Sequence, residues 1–491
     1  MIDRGADTVD TSFRAGLCME VNAMPCLLLI FGSEGDLAKR KLFPALFQLH
    51  QRDLLHPRTR IIACSRHPFT SVETYRALLA PLFPAGQERD AFLRRVIPYC
   101  GDFNDAETYR MMSDPVTQLE EQNNLSPDNR IFYLALPPTM AVEAIHHLRQ
   151  CNMIRHGNVV FEKPFGHDLE SARKLNDELS RYLREEQIYR IDHYSGKETV
   201  QNILMFRFAN ILFEPVWNRH YIDRVEIRAL EELGVEHRAG YFDHAGVVRD
   251  MFQNHLILML SLAAMEIPVR FQGDAVHDEK AKLLRCIRPI PAQETGKYFL
   301  RGQYLGYREE PGVAPDSETE TFAAAKLYID NWRWAGVPFY LMSGKKTGVK
   351  CTDIRLIFKR VPESIFAPLT SSDLAPDSLR LAVQPDEGFY LSLQAKHPGP
   401  KLCLGTLEMG FRYSSLLNVS EHMLTAYERL LLDVMLHDRT LFMRRDTVEL
   451  SWELFTPVLN QWASGDPAGG PLHFYPQGMP GPETLQRFLA Q

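Results

Sequence analysis

Between residue 26 and about residue 189, short apolar runs alternate with stretches of helical periodicity. The strand-like runs are 26–31, 60–64, 131–136, 159–161 and 188–191. Each is nearly continuous in apolar residues, a pattern that suits strands covered on both faces. It predicts a parallel sheet between two helix layers. Beyond about residue 200 the rhythm changes. The runs 225–230, 321–329, 354–360, 379–384 and 389–396 follow one another through turn-like residues. They predict an antiparallel sheet with helices segregated to one side. The expected fold class is therefore α/β followed by α+β. Residues 1–25 are an extension expected to be disordered, 26–200 one domain and 201–491 a second.

The bulk numbers agree with two domains. The chain has 491 residues, 45% hydrophobic and 24% charged, enough apolar material for two cores. A formal charge of -7 gives no reason to expect nucleic acid or an anionic membrane as partner. Eight scattered cysteines, none two residues apart, suggest reduced thiols rather than a metal or redox motif. The first 25 residues carry Asp3, Asp7, Asp10 and Glu20 and do not resemble a secretory leader. No apolar run is long enough to cross a bilayer. The expected compartment is the cytoplasm.

Three segments carry chemistry. The first run leads into Gly32-Ser33-Glu34-Gly35-Asp36-Leu37-Ala38. Glycines at this spacing let the backbone approach a pyrophosphate, and the next helix offers free N–H groups. Pro44 should kink or restart that helix. The second run ends in Ser65-Arg66, where an NAD site would place a carboxylate; a guanidinium suits the 2'-phosphate of NADP. After 159–161 comes Glu162-Lys163-Pro164-Phe165-Gly166, with Lys163 expected in the crevice and the Lys163–Pro164 bond expected cis.

The densest polar cluster is Arg190-Ile191-Asp192-His193-Tyr194-Ser195-Gly196-Lys197. His193, Tyr194 and Lys197 offer donors to a phosphate ester. Asp192 makes more sense as the orienting partner of a histidine base. The base is expected in 246–265, a stretch apolar on most of its surface that nonetheless carries Arg249, Asp250, Gln253, Asn254 and His255. On an α-helix Asp250 and Asn254 share a face and His255 lies on a neighbouring line.

Segments 32–41, 162–166, 189–198, 240–256 and 329–345 together resemble the glucose-6-phosphate dehydrogenase family, particularly its bacterial forms. The similarity runs from about Cys26 through Ala426-Tyr427-Glu428-Arg429-Leu430. The resemblance implies a Rossmann coenzyme domain, a larger domain on an extended antiparallel sheet, and homodimers or homotetramers. It implies oxidation of glucose 6-phosphate by NADP, with His255 as general base and Asp192 as its partner. His193, Tyr194 and Lys197 match residues that hold the 6-phosphate. Glu231, Asp250, Lys163 and Gln384 match positions around the sugar, and Lys345 and Lys350 match basic residues reaching it from the second domain. On the coenzyme side, Gly32, Ser33, Gly35, Asp36, Leu37, Arg66, Asp102, Phe103 and Lys163 correspond. Glu34, Ser195 and His244 depart from the family pattern, and Glu34 is expected to point outward. Two other readings stay open: a dehydrogenase of another hexose phosphate, and a non-catalytic nucleotide-binding relative.

Overall fold

The computed structural model describes residues 23–366, 368–400, 403–415 and 423–490. The disorder expected of 1–25 lies almost wholly outside the described residues. Six strands form the first sheet: β1 (Leu27–Phe31), β2 (Arg60–Ser65), β3 (Val96–Cys100), β4 (Arg130–Leu134), β5 (Asn158–Phe161) and β6 (Ile188–Arg190). Their order is β3-β2-β1-β4-β5-β6, and every pairing is parallel. This is the doubly wound arrangement that reverses beside β1.

All five residues of β1 are buried, because its two faces serve two cores. Leu28 and Ile30 pack with Phe43, Leu46 and Leu430; Leu27, Leu29 and Phe31 pack with Tyr109, Met112 and Ile145. Leu430 belongs to the helix Ala426–Met435, so the chain's late segment returns to cover the first sheet. β3 is the strand that the apolar pattern does not foretell. It contains Pro98 and only Val96 is buried, as befits an edge strand.

The second sheet has nine strands. They are β7 (Ile222–Leu230), β8 (Phe299–Tyr304), β9 (Phe322–Tyr328), β10 (Pro338–Gly344), β11 (Cys351–Phe358), β12 (Ser378–Gln384), β13 (Gly388–Lys396), β14 (Leu404–Arg412) and β15 (Leu472–Tyr475). Their order is β14-β13-β12-β11-β7-β10-β9-β8-β15. The sheet is antiparallel as expected except at two pairings: β7 with β10, and β8 with β15, are parallel. Parallel neighbours need long crossovers, which a reading of local turns does not detect.

Pro44 lies where the helix restarts, as expected. Ala38–Leu42 is a π-helical turn that runs into the α-helix Phe43–Gln51, with Pro44 in the first α-helical turn. A missing N–H is tolerated there.

Candidate functional site

The carboxyl ends of β5 and β6 open on one crevice. Beyond β5 the Lys163–Pro164 bond is cis, as expected from the sequence. Glu162, just before it, accepts from the Tyr133 hydroxyl at 2.5 Å and the Tyr427 hydroxyl at 3.2 Å. Beyond β6, Asp192 accepts from the backbone N–H of Tyr194 at 2.9 Å, and the Ser195 hydroxyl closes the turn onto the Asp192 carbonyl at 2.6 Å. Gly196 is required by close approach: a Cβ there would stand 2.5 Å from the Ala426 carbonyl oxygen. Arg190, fully buried, is tied up by Glu185 and Asn176 and anchors the segment rather than binding a ligand.

The opposite wall comes from the stretch 239–264. Gly246 (φ +68°) interrupts the helix Ala239–Val247, and a Cβ there would collide with the Glu320 carboxylate. That carboxylate accepts from the Val248 N–H at 3.1 Å and starts the next segment. Val248–Leu256 is π-helical and Ile257–Ala264 α-helical. At the far end, Arg207, Trp217 and Trp334 donate to the carbonyls of Leu262, Ala263 and Ala264, at 2.8 Å each. Both ends of the stretch are thus fixed.

The π turn alters which side chains share a face. In an α-helix, residues five apart are rotated by about 140° from one another. The wider π turn brings residues five apart back to one side. Lys163 touches both in consequence: its Nζ lies 3.0 Å from His255 Nε2, 3.2 Å from the Asp250 carbonyl and 3.6 Å from Asp250 Oδ1.

His255 Nδ1 lies 2.5 Å from Asp192 Oδ1, with both side chains buried. The carboxylate accepts only, so Nδ1 carries the hydrogen; the ammonium donates only, so Nε2 presents its lone pair. The Tyr194 ring stacks on the imidazole, centroids 4.1 Å apart. Burial drives the His255 pKa below the ordinary 6.5, and Lys163 adds to this against the pull of Asp192. Burial alone would raise Asp192, but His255 more than offsets it and holds the carboxyl well below its usual range. His193 is pushed down to about 3, first by burial and then by His255.

Around this pair the second sheet contributes. Lys345 from the end of β10 pairs with Glu231, and its Nζ stands 3.9 Å from Asp250 Oδ2. Lys163, Lys345 and Arg238 together overcome the burial that would raise Asp250, leaving its pKa lowered. Lys197 donates to Gln384 Oε1 at 2.9 Å and sits 4.0 Å over the Tyr194 ring. Burial pushes Lys197 down to about 8, and the nearby Lys350 also lowers it. Lys350 itself is exposed. Three participants escape a reading of the sequence. Thr352 accepts from Gln384 at 3.0 Å, Glu387 opposes the lowering of Lys197, and Arg238 stands 4.0 Å from Asp250. Thr352 comes from β11, Glu387 from the turn between β12 and β13, and Arg238 from the short turn Glu236–Arg238, so their meeting depends on the tertiary fold.

The comparisons with known proteins agree with one another. Residues 29–202 match the family model described as glucose-6-phosphate dehydrogenase, NAD binding domain, and residues 204–491 the model for its C-terminal domain. The chain belongs to the glucose-6-phosphate dehydrogenase family. It is 42% identical over 492 residues to glucose-6-phosphate 1-dehydrogenase of Treponema pallidum, covering 95% of this chain and 93% of that one. The Bacillus subtilis enzyme of the same name is 38% identical over 461 residues, covering 91% and 94%. Among solved structures, a glucose-6-phosphate dehydrogenase in complex with glucose 6-phosphate superposes with a TM-score of 0.87 at 35% identity, covering 96% of this chain and 98% of that one. The Mycobacterium avium enzyme gives 0.82 at 34%, covering 95% and 98%.

The dinucleotide turn of this dehydrogenase family is built at the end of β1. Gly32 has φ +80°, and a Cβ would lie 2.5 Å from the Ala135 carbonyl oxygen of the neighbouring strand end. The Gly35 N–H donates to Gly32 at 2.9 Å and the Ser33 N–H to Cys64 at 3.0 Å, which ties the turn to β2. A cradle this short of side chains, opening onto the first N–H groups of a helix, fits a pyrophosphate. Asp36 and Arg66 are exposed, Leu37 is partly buried, and Asp102 caps the Asn104 N–H at 3.0 Å. Phe103 is a core residue packed edge-on against Phe31. Glu34, expected to point outward, turns to the end of β2: its side chain is 27% exposed and bound to His67.

Proposed function

We propose that this chain oxidises D-glucose 6-phosphate at C1 to 6-phospho-D-glucono-1,5-lactone, the opening oxidation of the pentose phosphate pathway. One observation carries the reading. His255 has Nδ1 committed to Asp192 and its Nε2 lone pair facing the crevice between two sheets, beside a lysine. NADP, when bound, supplies the hydride acceptor, and the turn from Gly32 to Leu37 with Arg66 would hold it. Nε2 takes the proton of the C1 hydroxyl, and Asp192 stabilises the imidazolium that results. Lys163, next to Nε2, disfavours its protonation before substrate arrives and then donates to the sugar oxygen. Asp250, Glu231 and Lys345 position the ring hydroxyls. His193, Tyr194, Lys197, Lys350 and Gln384 hold the 6-phosphate, far from the reacting carbon, and so fix its orientation. No metal enters this reading.

The direct test follows reduced nicotinamide by absorbance, with glucose 6-phosphate, glucose or another sugar phosphate, and NADP or NAD. Turnover that prefers another hexose phosphate, or none with any pair, would overturn the proposal. Lys197→Ala is expected to lower kcat/KM for glucose 6-phosphate by about 10- to 100-fold, the worth of a charge-assisted hydrogen bond. Activity on unphosphorylated glucose should fall far less. Equal losses on the two sugars would remove Lys197 from the phosphate site.

The pH profile follows from the two shifted groups. Lowering of the His255 pKa keeps the base neutral under mildly acid conditions, so the acid limb of kcat/KM should lie below pH 6.5. As pH rises through about 8, Lys197 loses its charge in the free enzyme and phosphate capture weakens. An acid limb at or above pH 6.5 would contradict the buried-base assignment.

We divide the chain at 200/201, near the junction of the two family models and inside the helix Glu198–Phe208. Among the described residues no helix is long and apolar enough to cross a membrane. The seven described cysteines are all free, which supports a cytoplasmic enzyme. A homodimer or homotetramer built on the second sheet is supported by its outer strand β14, where Leu407 and Met409 are exposed.

A further inference from the structure

The end of β2 carries Ser65 and Arg66, the residue types suited to a 2'-phosphate, yet a carboxylate reaches Ser65 and His67, on either side of Arg66 in the chain. It comes from the glycine turn rather than from β2. Glu34 Oε2 lies 2.7 Å from His67 Nδ1, and since a carboxylate only accepts, the imidazole donates. Neighbouring contacts hold the two segments together. The Ser33 N–H is bonded to the Cys64 carbonyl, the Ser33 hydroxyl receives the Tyr75 hydroxyl at 2.9 Å, and the Ser65 hydroxyl both donates to the His67 carbonyl at 3.2 Å and accepts from the His67 N–H at 3.1 Å. Ser65 and Lys39 also act on the Glu34 carboxylate, and together with His67 they outweigh its burial, so it stays ionised.

A fixed carboxylate at the end of β2 accepts from the ribose 2'-hydroxyl of NAD and repels the 2'-phosphate of NADP; a guanidinium there does the reverse. We propose that Glu34 is a coenzyme-selecting residue. It gives the adenosine end of the site a 2'-hydroxyl acceptor alongside the Arg66 cation, so that the chain binds NAD as well as NADP, with His67 restraining the carboxylate by occupying Oε2. This rests on the reading of Arg66 as the 2'-phosphate contact.

The test is equilibrium binding by calorimetry, independent of turnover. NADP and NAD are compared, and adenosine 2',5'-bisphosphate and 5'-AMP serve as probes that lack the nicotinamide half. Glu34→Gln should shift the Kd ratio towards the phosphorylated member of each pair by about tenfold, the effect of removing one nearby like charge. His67→Ala frees Oε2 and should shift the ratio the opposite way by several-fold. A purely structural disturbance would weaken both members of a pair together and leave the ratio unchanged. Arg66→Ala should move the ratio towards NAD by about tenfold or more. If Arg66→Ala does so while both Glu34→Gln and His67→Ala leave the ratio within about twofold, the selector role is overturned and the NADP reading stands. If Arg66→Ala leaves the ratio unchanged, it is the assignment of the 2'-phosphate to Arg66 that fails.

Discussion

Replacing His255 with Asn should lower kcat by about 10³-fold or more while glucose 6-phosphate still binds. The lost imidazole has a lone pair that is both aimed by a carboxylate and placed beside a lysine. Asparagine is too short to reach Lys163 while holding Asp192, and its amide has no useful basicity. Stability should fall as well. Asp192 would lose the well-aligned Nδ1 hydrogen bond while remaining a buried carboxylate, and losing a hydrogen bond to a charged group costs about 1.5–3 kcal/mol. The two losses separate in the double variant with Asp192→Asn, which removes the stranded charge. It should melt at a higher temperature than His255→Asn yet recover no turnover. Substrate affinity by calorimetry and single-turnover rates decide the matter. A rate within about tenfold of the parent would remove His255 from proton transfer.

Asp192→Asn alone should reduce kcat by about 10³- to 10⁴-fold, with a much smaller change in the affinity for glucose 6-phosphate. Two effects combine. The amide can donate to Nδ1, which moves the ring hydrogen to Nε2 and removes the lone pair from the crevice. It also withdraws the charge that would face the imidazolium. Asp192 Oδ2 is buried and has no hydrogen-bond partner among the described residues, so this oxygen is not held by a network that the amide would preserve. The pH profile gives a second readout. With the carboxylate gone the His255 pKa should fall further, carrying the acid limb of kcat/KM down with it. An unmoved limb with a near-parental rate would show that Asp192 does not act through His255.

Much of this architecture is written in local pattern. Five of the six strands of the first sheet lie in near-continuous apolar runs, because a strand covered on both faces needs apolar residues on both. β3 escapes since an edge strand need not be apolar. Asp192, His193, Tyr194 and Lys197 fall within six residues, and a polar cluster at a strand end stands out in any sequence. The π-helical turn at 248–256 does not. Its residues read as an ordinary buried helix, and the face shared by Asp250 and His255 appears only once the turn widens.

The sequence by itself therefore determined the alternation of strands and helices, the glycine turn, the Asp192 cluster and the need for a partner among the buried polar residues 249–255. These depend on spacing along one chain segment, where covalent geometry fixes which residues are neighbours. Only the tertiary structure decided that His255 meets Asp192 across 63 positions, that Lys197 meets Gln384 across 187, and that Glu34 crosses to His67 at the end of β2. It also decided that β7 and β10 lie parallel and that the helix Ala426–Met435 returns to the first sheet. Such meetings depend on how two cores pack as solids. Burying each apolar face leaves a polar seam between the sheets, and the seam selects its residues by position in space rather than by position in the chain.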